Sequence, residues 1–224
     1  MDSVADYGRA GDENTSGYTM SAPRSPVDDS PGPRPELRAA LETTLTADVG
    51  SFRETVDRLG TEHGFGTEQL TTTPDTFDPK GGVTGMSVRD RELVWRAWTL
   101  EAAPIGVVLT GPAYQDNPVV YANRATCRLT GYSLSELRGG NLRRLQGART
   151  DPDPVGTLRE AIRGWSSVTV ELYNYRADGT PFVNRVSIVP VSDADGTVQH
   201  WFGLQAAVPD EESASGVRVP CSRD

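Results

Sequence analysis

Two different spacings of apolar residues divide the chain. In residues 35–60 apolar side chains recur at steps of three and four, from Leu37 to Leu59, and Gly60 follows as a residue typical of helix ends. In residues 168–208 apolar and polar residues alternate instead, which is typical of half-buried β-strands. The pattern predicts an amphipathic helix near the N-terminus and, further along the chain, a domain that contains a β-sheet.

The helix over residues 35–60 has two possible roles. It can pack its apolar stripe against the following domain, or it can present that stripe to a second copy of the chain at near-heptad spacing. We favour packing, because only about three heptads are present and a stripe at helical spacing is usually core. A second helix, from residue 87 to residue 100, starts with a capping-box-like Ser87 and Asp90. It carries Trp95 and Trp98, which suit either an interface or the outer face of a sheet.

The remaining segments outside the domain are polar. Residues 1–34 are rich in Asp, Ser, Gly and Pro, and we expect them to be disordered and acidic. Residues 61–86 are predicted to form a mobile linker, and residues 209–224 a flexible C-terminal tail. The domain itself is assigned to residues 87–208, including the cap helix at its start.

Residues 105–208 show the order of elements of a small mixed domain. Asp178-Gly179 and Asp195-Gly196 are strong hairpin turns between the last three strands. Two strands, several short helices and three further strands predict an α+β fold, in which a five-stranded antiparallel sheet carries short helices over one face and has an N-terminal helical extension. The predicted strands are 105–110, 119–121, 168–175, 182–191 and 198–208, and the predicted helices are 123–129, 133–138, 140–146 and 153–163.

Charge and cysteine content exclude several classes of function. The net charge is −9, and residues 1–85 hold 15 acids against 7 bases while residues 86–208 hold 12 against 13. We therefore expect no direct nucleic-acid partner, since phosphate binding needs a basic face. No apolar run approaches the roughly 20 residues that span a bilayer, so we expect no membrane partner. Cys127 and Cys221 show neither disulfide nor metal spacing, which favours a cytoplasmic protein without a metal site.

Polar side chains are concentrated at two places in the predicted domain. Residues 139–147 read Gly-Gly-Asn-Leu-Arg-Arg-Leu-Gln-Gly, which places amides and guanidiniums among leucines and suits a flat polar heterocycle that carries an anion. Asn174 and Asn184 lie five residues on either side of Gly179, so a symmetric hairpin can place both amides on one face. Asparagine is a poor strand former, and two such positions suggest a binding role.

The nonapeptide 139–147 resembles the signature of the light-oxygen-voltage (LOV) domains, the flavin-binding branch of the PAS superfamily, which reads Gly-any-Asn-Cys-Arg-Phe-Leu-Gln-Gly. The resemblance extends over residues 105–208 and includes Asp116-Asn117-Pro118, Leu129-Thr130-Gly131-Tyr132 and Phe202-Gly203-Leu204-Gln205. Two positions depart from the family. Leu142 stands where the family carries the cysteine that bonds to the excited flavin, and Arg144 replaces an aromatic residue and must turn outward or find a partner.

The resemblance implies a flavin site, with FMN favoured and FAD possible. Asn174 and Asn184 would bind the pyrimidine edge of the flavin ring, and Gln205 would reach O4 and N5. The ribityl chain and ring edge would contact Asn141 and Gln146, and the terminal phosphate would bind Arg143 and Arg159. Apolar walls would come from Val107, Leu142, Leu145, Leu158, Leu172 and Phe202.

Without the cysteine, the resemblance implies a blue-light or redox sensor that works by photoreduction of the flavin to the neutral semiquinone, with a rotation of the Gln205 amide. Cys127 is expected to be a buried small hydrophobe rather than a substitute nucleophile. The main alternative is a chromophore-free PAS module for dimerisation or protein interaction. We expect no enzyme activity, a homodimer formed through the N-terminal helices, and an unknown signalling partner in trans.

Overall fold

The computed structural model describes residues 35–77, 86–193 and 195–209. It confirms the predicted fold, a five-stranded antiparallel sheet with helices. The expectations for residues 1–34, for most of the tail and for residues 78–85 lie outside the described residues. The helices are α1 (Pro35–Thr44), α2 (Val49–His63), α3 (Val88–Thr99), α4 (Arg124–Thr130), α5 (Leu134–Leu137) and α6 (Pro152–Arg163), and the strands are β1 (Gly106–Thr110), β2 (Val119–Ala122), β3 (Val168–Tyr175), β4 (Pro181–Ser192) and β5 (Val198–Val208).

The strand order is β2-β1-β5-β4-β3, with all neighbours antiparallel. Because residues that pair directly across strands point to the same face, the pairing defines two sets of side chains. One set, which we call the inner face, includes Val108, Leu172, Asn184 and Gln205. The other set, the outer face, includes Val107, Leu109, Tyr121, Ser187, Val189, Phe202 and Leu204.

The N-terminal helices cover the outer face. Leu37 and Leu41 of α1 and Phe52 of α2 are fully buried in one apolar cluster with Phe202 and Leu204 of β5. The apolar stripe of these helices is therefore used within the chain, as the packing interpretation predicted. This arrangement leaves the sheet with helices on both faces rather than one.

The single helix predicted over residues 35–60 is in fact two helices. The chain leaves α1 after Thr44, and Asp48 starts α2 by accepting a hydrogen bond from the backbone N–H of Ser51 at 3.0 Å. Helix α2 also runs past Gly60 and ends at the left-handed Gly64, where the cap N–H donates to the Gly60 carbonyl. The apolar spacing hid both boundaries, because the stripe continues across the break.

The predicted mobile linker is also wrong for the residues that the structure describes. Phe65, Leu70 and Phe77 are buried in the outer cluster. The Trp95 indole of α3 donates a hydrogen bond to the Thr72 hydroxyl at 3.1 Å, and the Trp98 ring lies 4.8 Å from that of Phe77. Residues 64–77 are thus part of the outer layer, and the tryptophans of α3 pack against their own chain.

One buried arginine joins α1 to the sheet. Arg38 donates to the Ser187 hydroxyl and to the Leu204 carbonyl, each at 2.9 Å, and to the Arg185 carbonyl at 3.2 Å. Its side chain is only 7% exposed, and burial lowers the pKa of the guanidinium. The three acceptors compensate for the loss of hydration, so Arg38 fixes the position of α1 on β4 and β5.

The short helices cover the inner face, and their ends are set by local caps. Asn123 caps α4 by accepting from the Thr126 N–H at 3.0 Å, and its amide donates to the carbonyls of Leu100 and Ile105. Ser133 and Glu136 form a capping box on α5. The helix predicted over 140–146 is a 3-10 helix, Leu142–Leu145. Within the described ranges, no helix is both long enough and apolar enough to cross a bilayer.

Candidate functional site

Three buried amides meet on the inner face of the sheet. Asn174 of β3, Asn184 of β4 and Gln205 of β5 are between 0% and 5% exposed. The Asn184 amide nitrogen donates to Asn174 Oδ1 at 2.9 Å and to Gln205 Oε1 at 3.0 Å. The strand pairing creates this row, because each residue occupies an inner-face position on one of three adjacent strands.

The amide row is incomplete. Asn184 Oδ1 and Gln205 Nε2 are buried and have no hydrogen-bond partner among the described residues. Each unpaired buried polar atom costs about 1–3 kcal/mol, and folded proteins contain few of them. One unpaired acceptor and one unpaired donor on the same row indicate a ligand with complementary groups.

Apolar side chains border the row, and several of them are partly exposed. Leu172 and Leu145 are buried, but the inner-face residues Val170, Val186 and Ile188 are only half-buried. Leu142 is half-buried and packs against the small cluster of Val108, Val119, Ala122 and Leu137. Leu158 of α6 is half-buried as well. These residues form a partly exposed apolar surface beside the row.

Two predicted wall residues lie on the other side of the sheet. Val107 pairs with Leu204, and Phe202 pairs with Leu109, so all four side chains belong to the outer face and are fully buried there. Val107 and Phe202 were therefore wrongly assigned to the pocket. The inner-face positions of β5 are Gly203 and Trp201, two and four residues before Gln205. Counting in steps of two from Gln205 in the sequence would have found them.

Of the polar residues predicted to bind the ligand tail, Arg143, Gln146 and Arg159 are exposed and Asn141 is half-buried. Arg143 forms a two-pronged ion pair with Asp116, with N–O distances of 2.6 Å and 2.9 Å, and both side chains are exposed. Asn141 donates to the Asp116 carbonyl at 2.5 Å and accepts from the Arg143 N–H at 2.8 Å. The structure thus joins Asn141 and Arg143 through Asp116, a residue that the sequence did not single out for this role. Gln146 and Arg159 are exposed on separate elements.

The two unusual side chains near the site have local explanations. Arg144 places its guanidinium 4.3 Å from the ring centre of Tyr132 and donates to the Glu136 carbonyl, so this arginine finds a partner, as predicted. Cys127 is half-buried rather than buried. Burial and the Glu101 carboxylate raise the pKa of its thiol, so the thiolate required of a nucleophile is disfavoured.

The donors and acceptors of the amide row fit the edge of an isoalloxazine ring. That edge presents two carbonyl oxygens on either side of an N–H, which match amides that offer both a donor and an acceptor. The half-buried apolar residues suit the flat faces of the ring system. Among the described residues, no three His, Cys, Asp or Glu side chains form a group that could hold a metal ion.

Comparison with known proteins confirms the resemblance to the PAS family. Residues 104–205 match the PAS domain. Over 112 residues the chain is 43% identical to blue-light-activated histidine kinase 1 of Erythrobacter litoralis. The matched stretch covers 50% of this chain and 31% of that protein. Over 115 residues it is 40% identical to the bacterioopsin transcriptional activator of Halobacterium salinarum. This match covers 51% of this chain and 17% of that protein. The chain thus spans less than a third of each of these two relatives.

Solved structures of LOV domains are similar in sequence over nearly their whole length. The LOV domain of a blue-light-activated histidine kinase from Erythrobacter litoralis is 38% identical, with 48% of this chain and 98% of that chain covered and a TM-score of 0.46. The light-state LOV domain of aureochrome1 is 39% identical, with 51% and 90% covered and a TM-score of 0.47.

Proposed function

Because the chain belongs to the LOV branch of the PAS family, we propose that it is a flavin-binding sensor of blue light or redox state that acts without an adduct-forming cysteine. The observation that carries the proposal is the buried amide row, in which Asn184 and Gln205 keep one acceptor and one donor unpaired. A flavin edge supplies the complementary groups. Leu142, which stands where the family carries a cysteine, provides no nucleophile but forms part of an apolar wall.

The predicted residues divide into three roles. Asn174, Asn184 and Gln205 would bind the pyrimidine edge, and Asn141 and Gln146 would contact the ribityl chain. Arg143 and Arg159 would bind a terminal phosphate, for which Arg143 would exchange its ion pair with Asp116. A single phosphate suits these two arginines, so FMN is the proposed cofactor, with FAD as the other flavin nucleotide to test. Apolar contacts would come from Leu142, Leu145, Leu158 and Leu172.

Leu142 determines which chemistry the protein can support. Its alkyl side chain can neither attack the ring nor give a proton, so the chain must respond through electron and proton transfer. Bound flavin would supply a blue-light-excited state that accepts one electron and, after protonation at N5, becomes the neutral semiquinone. Gln205 would then face a donor where it had faced an acceptor, and its amide would rotate to offer the oxygen instead of the nitrogen.

We propose that contacts between β5 and the outer layer transmit the rotation of the Gln205 amide away from the site. The Leu204 carbonyl, one residue before Gln205, accepts the hydrogen bond from Arg38 of α1. His200 of β5 lies 3.3 Å from Asp90 of α3. A shift of β5 would change both contacts, and a population shift requires such differential contacts. We propose that the signal leaves through these helices to a partner in trans.

Three further features belong to the same proposal. We propose a sensor without enzyme activity of its own that acts in the cytoplasm. We also propose a homodimer formed through the N-terminal helices. Because the apolar stripe of α1 and α2 is buried within the chain, a dimer would have to use the solvent-facing sides of these helices.

The absorption spectrum of the purified full chain tests the proposal. After incubation with FMN, FAD or riboflavin, we expect a retained flavin with a structured blue absorption band. Illumination in the presence of a soluble thiol should convert this band to that of a one-electron-reduced flavin. A protein that takes up none of the three flavins would overturn the proposal and support the chromophore-free interaction module.

Replacement of Leu142 provides a matched pair of variants. Leu142→Cys restores a thiol at this position, so illumination should now bleach the blue band in the manner of an adduct and allow thermal recovery. Leu142→Ala changes the volume without adding a thiol and should keep the behaviour of the unmodified chain. Adduct-type bleaching in the unmodified chain or in Leu142→Ala would contradict the proposed role of Leu142.

A further inference from the structure

The inner face of β5 carries a tryptophan that the proposed function has not used. Trp201 pairs with Thr110 of β1 and with Pro190 of β4, so its side chain lies on the same face as Gln205. It is 3% exposed, and its indole Nε1 has no hydrogen-bond partner among the described residues. Four residues along a strand place it ~13 Å from Gln205, at the other end of the same surface.

The other three tryptophans occupy different environments. Trp95 and Trp98 belong to the outer layer, where they contact Phe52 and Phe77 on the opposite side of the sheet. Trp165 follows α6 and is 55% exposed. Trp201 is therefore the only one of the four indoles on the face that carries the amide row.

Of the tyrosines near the sheet, Tyr132 and Tyr121 are less suitable electron donors than Trp201. Tyr132, like Leu142, packs against the small cluster that contains Val108. The Arg144 guanidinium lies over the Tyr132 ring, and a fixed positive charge there opposes the loss of an electron. Tyr121 lies on the outer face and donates its hydroxyl to Glu101 at 2.7 Å. No cation is seen over the Trp201 ring within the described residues.

We propose that Trp201 is the electron donor to the photoexcited flavin. The inference rests on the proposed function, since it requires a flavin on the inner face. One electron leaves the Trp201 indole for the flavin, which leaves an indole radical cation. The unpaired Nε1 matters here, because with no acceptor beside it the indole retains its proton.

The step is completed by a soluble thiol as co-reductant. The thiol returns one electron to the Trp201 radical cation and releases its proton to water, and two thiyl radicals combine to a disulfide. The proton that the reduced flavin takes up comes from solvent. The net change is one electron and one proton from thiol to flavin, with Trp201 unchanged.

Trp201→Phe tests this assignment by flavin fluorescence. Electron transfer from a nearby indole shortens the flavin excited state, so removing the donor should lengthen the fluorescence lifetime of bound FMN severalfold. The rate of photoreduction with a soluble thiol should fall by a similar factor. Trp98→Phe is the matched control, because it removes an indole from the other side of the sheet and should leave both quantities unchanged.

A second readout does not depend on photoreduction. Titration of the apoprotein with FMN should quench the emission of an indole beside the site, and the quenched part of the emission should be missing in Trp201→Phe. Trp201→Tyr, which keeps a larger ring, should give a lifetime between those of Trp201→Phe and the unmodified chain. It keeps the test valid if the smaller ring impairs folding.

The outcomes separate the two proposals. An unmodified chain that binds no flavin would overturn both. A chain that binds FMN, with the same lifetime and the same photoreduction rate in Trp201→Phe as in the unmodified protein, would overturn the role of Trp201 and leave the flavin site intact. A loss of quenching in Trp98→Phe instead would assign the donor to the outer layer and likewise overturn the inference.

Discussion

The two faces of the sheet differ in how completely the chain covers them. On the outer face Leu109, Phe202 and Leu204 are fully buried by the N-terminal helices. On the inner face Val186 and Ile188 are only half-buried. The same contrast holds within β4, where the outer-face residues Ser187 and Val189 are buried, so the difference comes from what packs against the strand.

Buried polar groups show the same contrast. Arg38 on the outer side has three acceptors within 3.2 Å. Asn184 and Gln205 on the inner side each leave one atom without a partner. A protein tolerates an unpaired buried atom where a ligand or a reaction uses it. Arg38 is thus satisfied within the chain. Gln69 Oε1 and Arg91 Nε of the outer layer also lack partners among the described residues, but only on the inner face do an unpaired acceptor and an unpaired donor share one row, as the edge of a ligand requires.

The largest effect should come from removing the polar anchor of the outer face. Arg38→Met keeps the length of the side chain but leaves the Ser187 hydroxyl and two carbonyls without this donor, so the free energy of unfolding should fall by about 1–3 kcal/mol. Urea unfolding of the apoprotein measures this. The control is Arg58→Met, whose exposed i,i+4 pair with Glu62 should contribute less than about 0.5 kcal/mol. Equal effects of the two substitutions would contradict the anchoring role of Arg38.

The corresponding change on the inner face should have a smaller effect. Gln205→Leu removes the unpaired Gln205 donor, but it also removes the oxygen that accepts from Asn184 and so leaves one Asn184 N–H without a partner. The two changes offset each other, so the free energy of unfolding of the apoprotein should change by less than about 1 kcal/mol. The affinity for FMN should fall by up to about tenfold, which corresponds to one lost hydrogen bond.

Two titrations test the Gln205 prediction together. Urea unfolding gives the stability of the apoprotein, and fluorescence titration with FMN gives the affinity. Gln115→Leu, a substitution at the exposed end of a short 3-10 helix, is the control and should change neither value. A Gln205→Leu apoprotein that is less stable, with unchanged FMN affinity, would mean that the amide serves the fold and not a ligand.

The sequence predicted the inner-face amides for a physical reason. The turn at Asp178-Gly179 fixes the register of β3 and β4, in which Asn174 pairs with Phe182 and Asn184 pairs with Leu172. The two amides are therefore offset by two residues, an even number, which leaves them on one face.

Along β5, Phe202 is an odd number of residues from Gln205 and therefore lies on the opposite face, whereas Trp201 is an even number away and shares the face of Gln205. The prediction that Phe202 lines the pocket is wrong for that reason.

The outer layer was less accessible from the sequence. Periodicity identifies an apolar stripe but not the surface that it covers, and it continued across the break between α1 and α2. Arg38 gave no signal, because an isolated arginine is usually exposed. The buried Phe65, Leu70 and Phe77 lie in a segment without regular spacing, so their burial depends on tertiary packing alone.

A smaller effect should distinguish phosphate binding from ring binding. Arg143→Gln should lower the affinity for FMN by less than about tenfold, since an exposed ion pair contributes about 0.2–1 kcal/mol, and should leave the affinity for riboflavin unchanged. Asp116→Asn releases Arg143 from its ion pair and should raise the affinity for FMN alone. Arg163→Gln, at the end of α6, is the control. Parallel changes for FMN and riboflavin in either variant would contradict a phosphate contact.

The smallest effect concerns the one histidine that joins β5 to the outer layer. His200 faces Asp90 at 3.3 Å and lies near Arg89. Burial lowers its pKa below 6.5, although the Asp90 carboxylate opposes this shift. The unfolded chain therefore binds the proton first on acidification. The free energy of unfolding should be constant above about pH 7 and should fall as the pH drops through 6.5 towards the lower folded value.

His200→Gln tests this by urea unfolding between pH 7.5 and 5, which is above the range where the capping carboxylates of Asp48 and Glu136 protonate, since hydrogen bonds lower the pKa of both. The variant should lose the slope in this window, and Asp90→Asn should steepen it, because the carboxylate favours the protonated ring. The slope should be the same in Gln205→Leu, since His200 lies on the outer face. A change of this pH slope in Gln205→Leu would show that the inner-face substitution alters the titration of His200. The two faces would then be coupled, and the contrast between them would not hold.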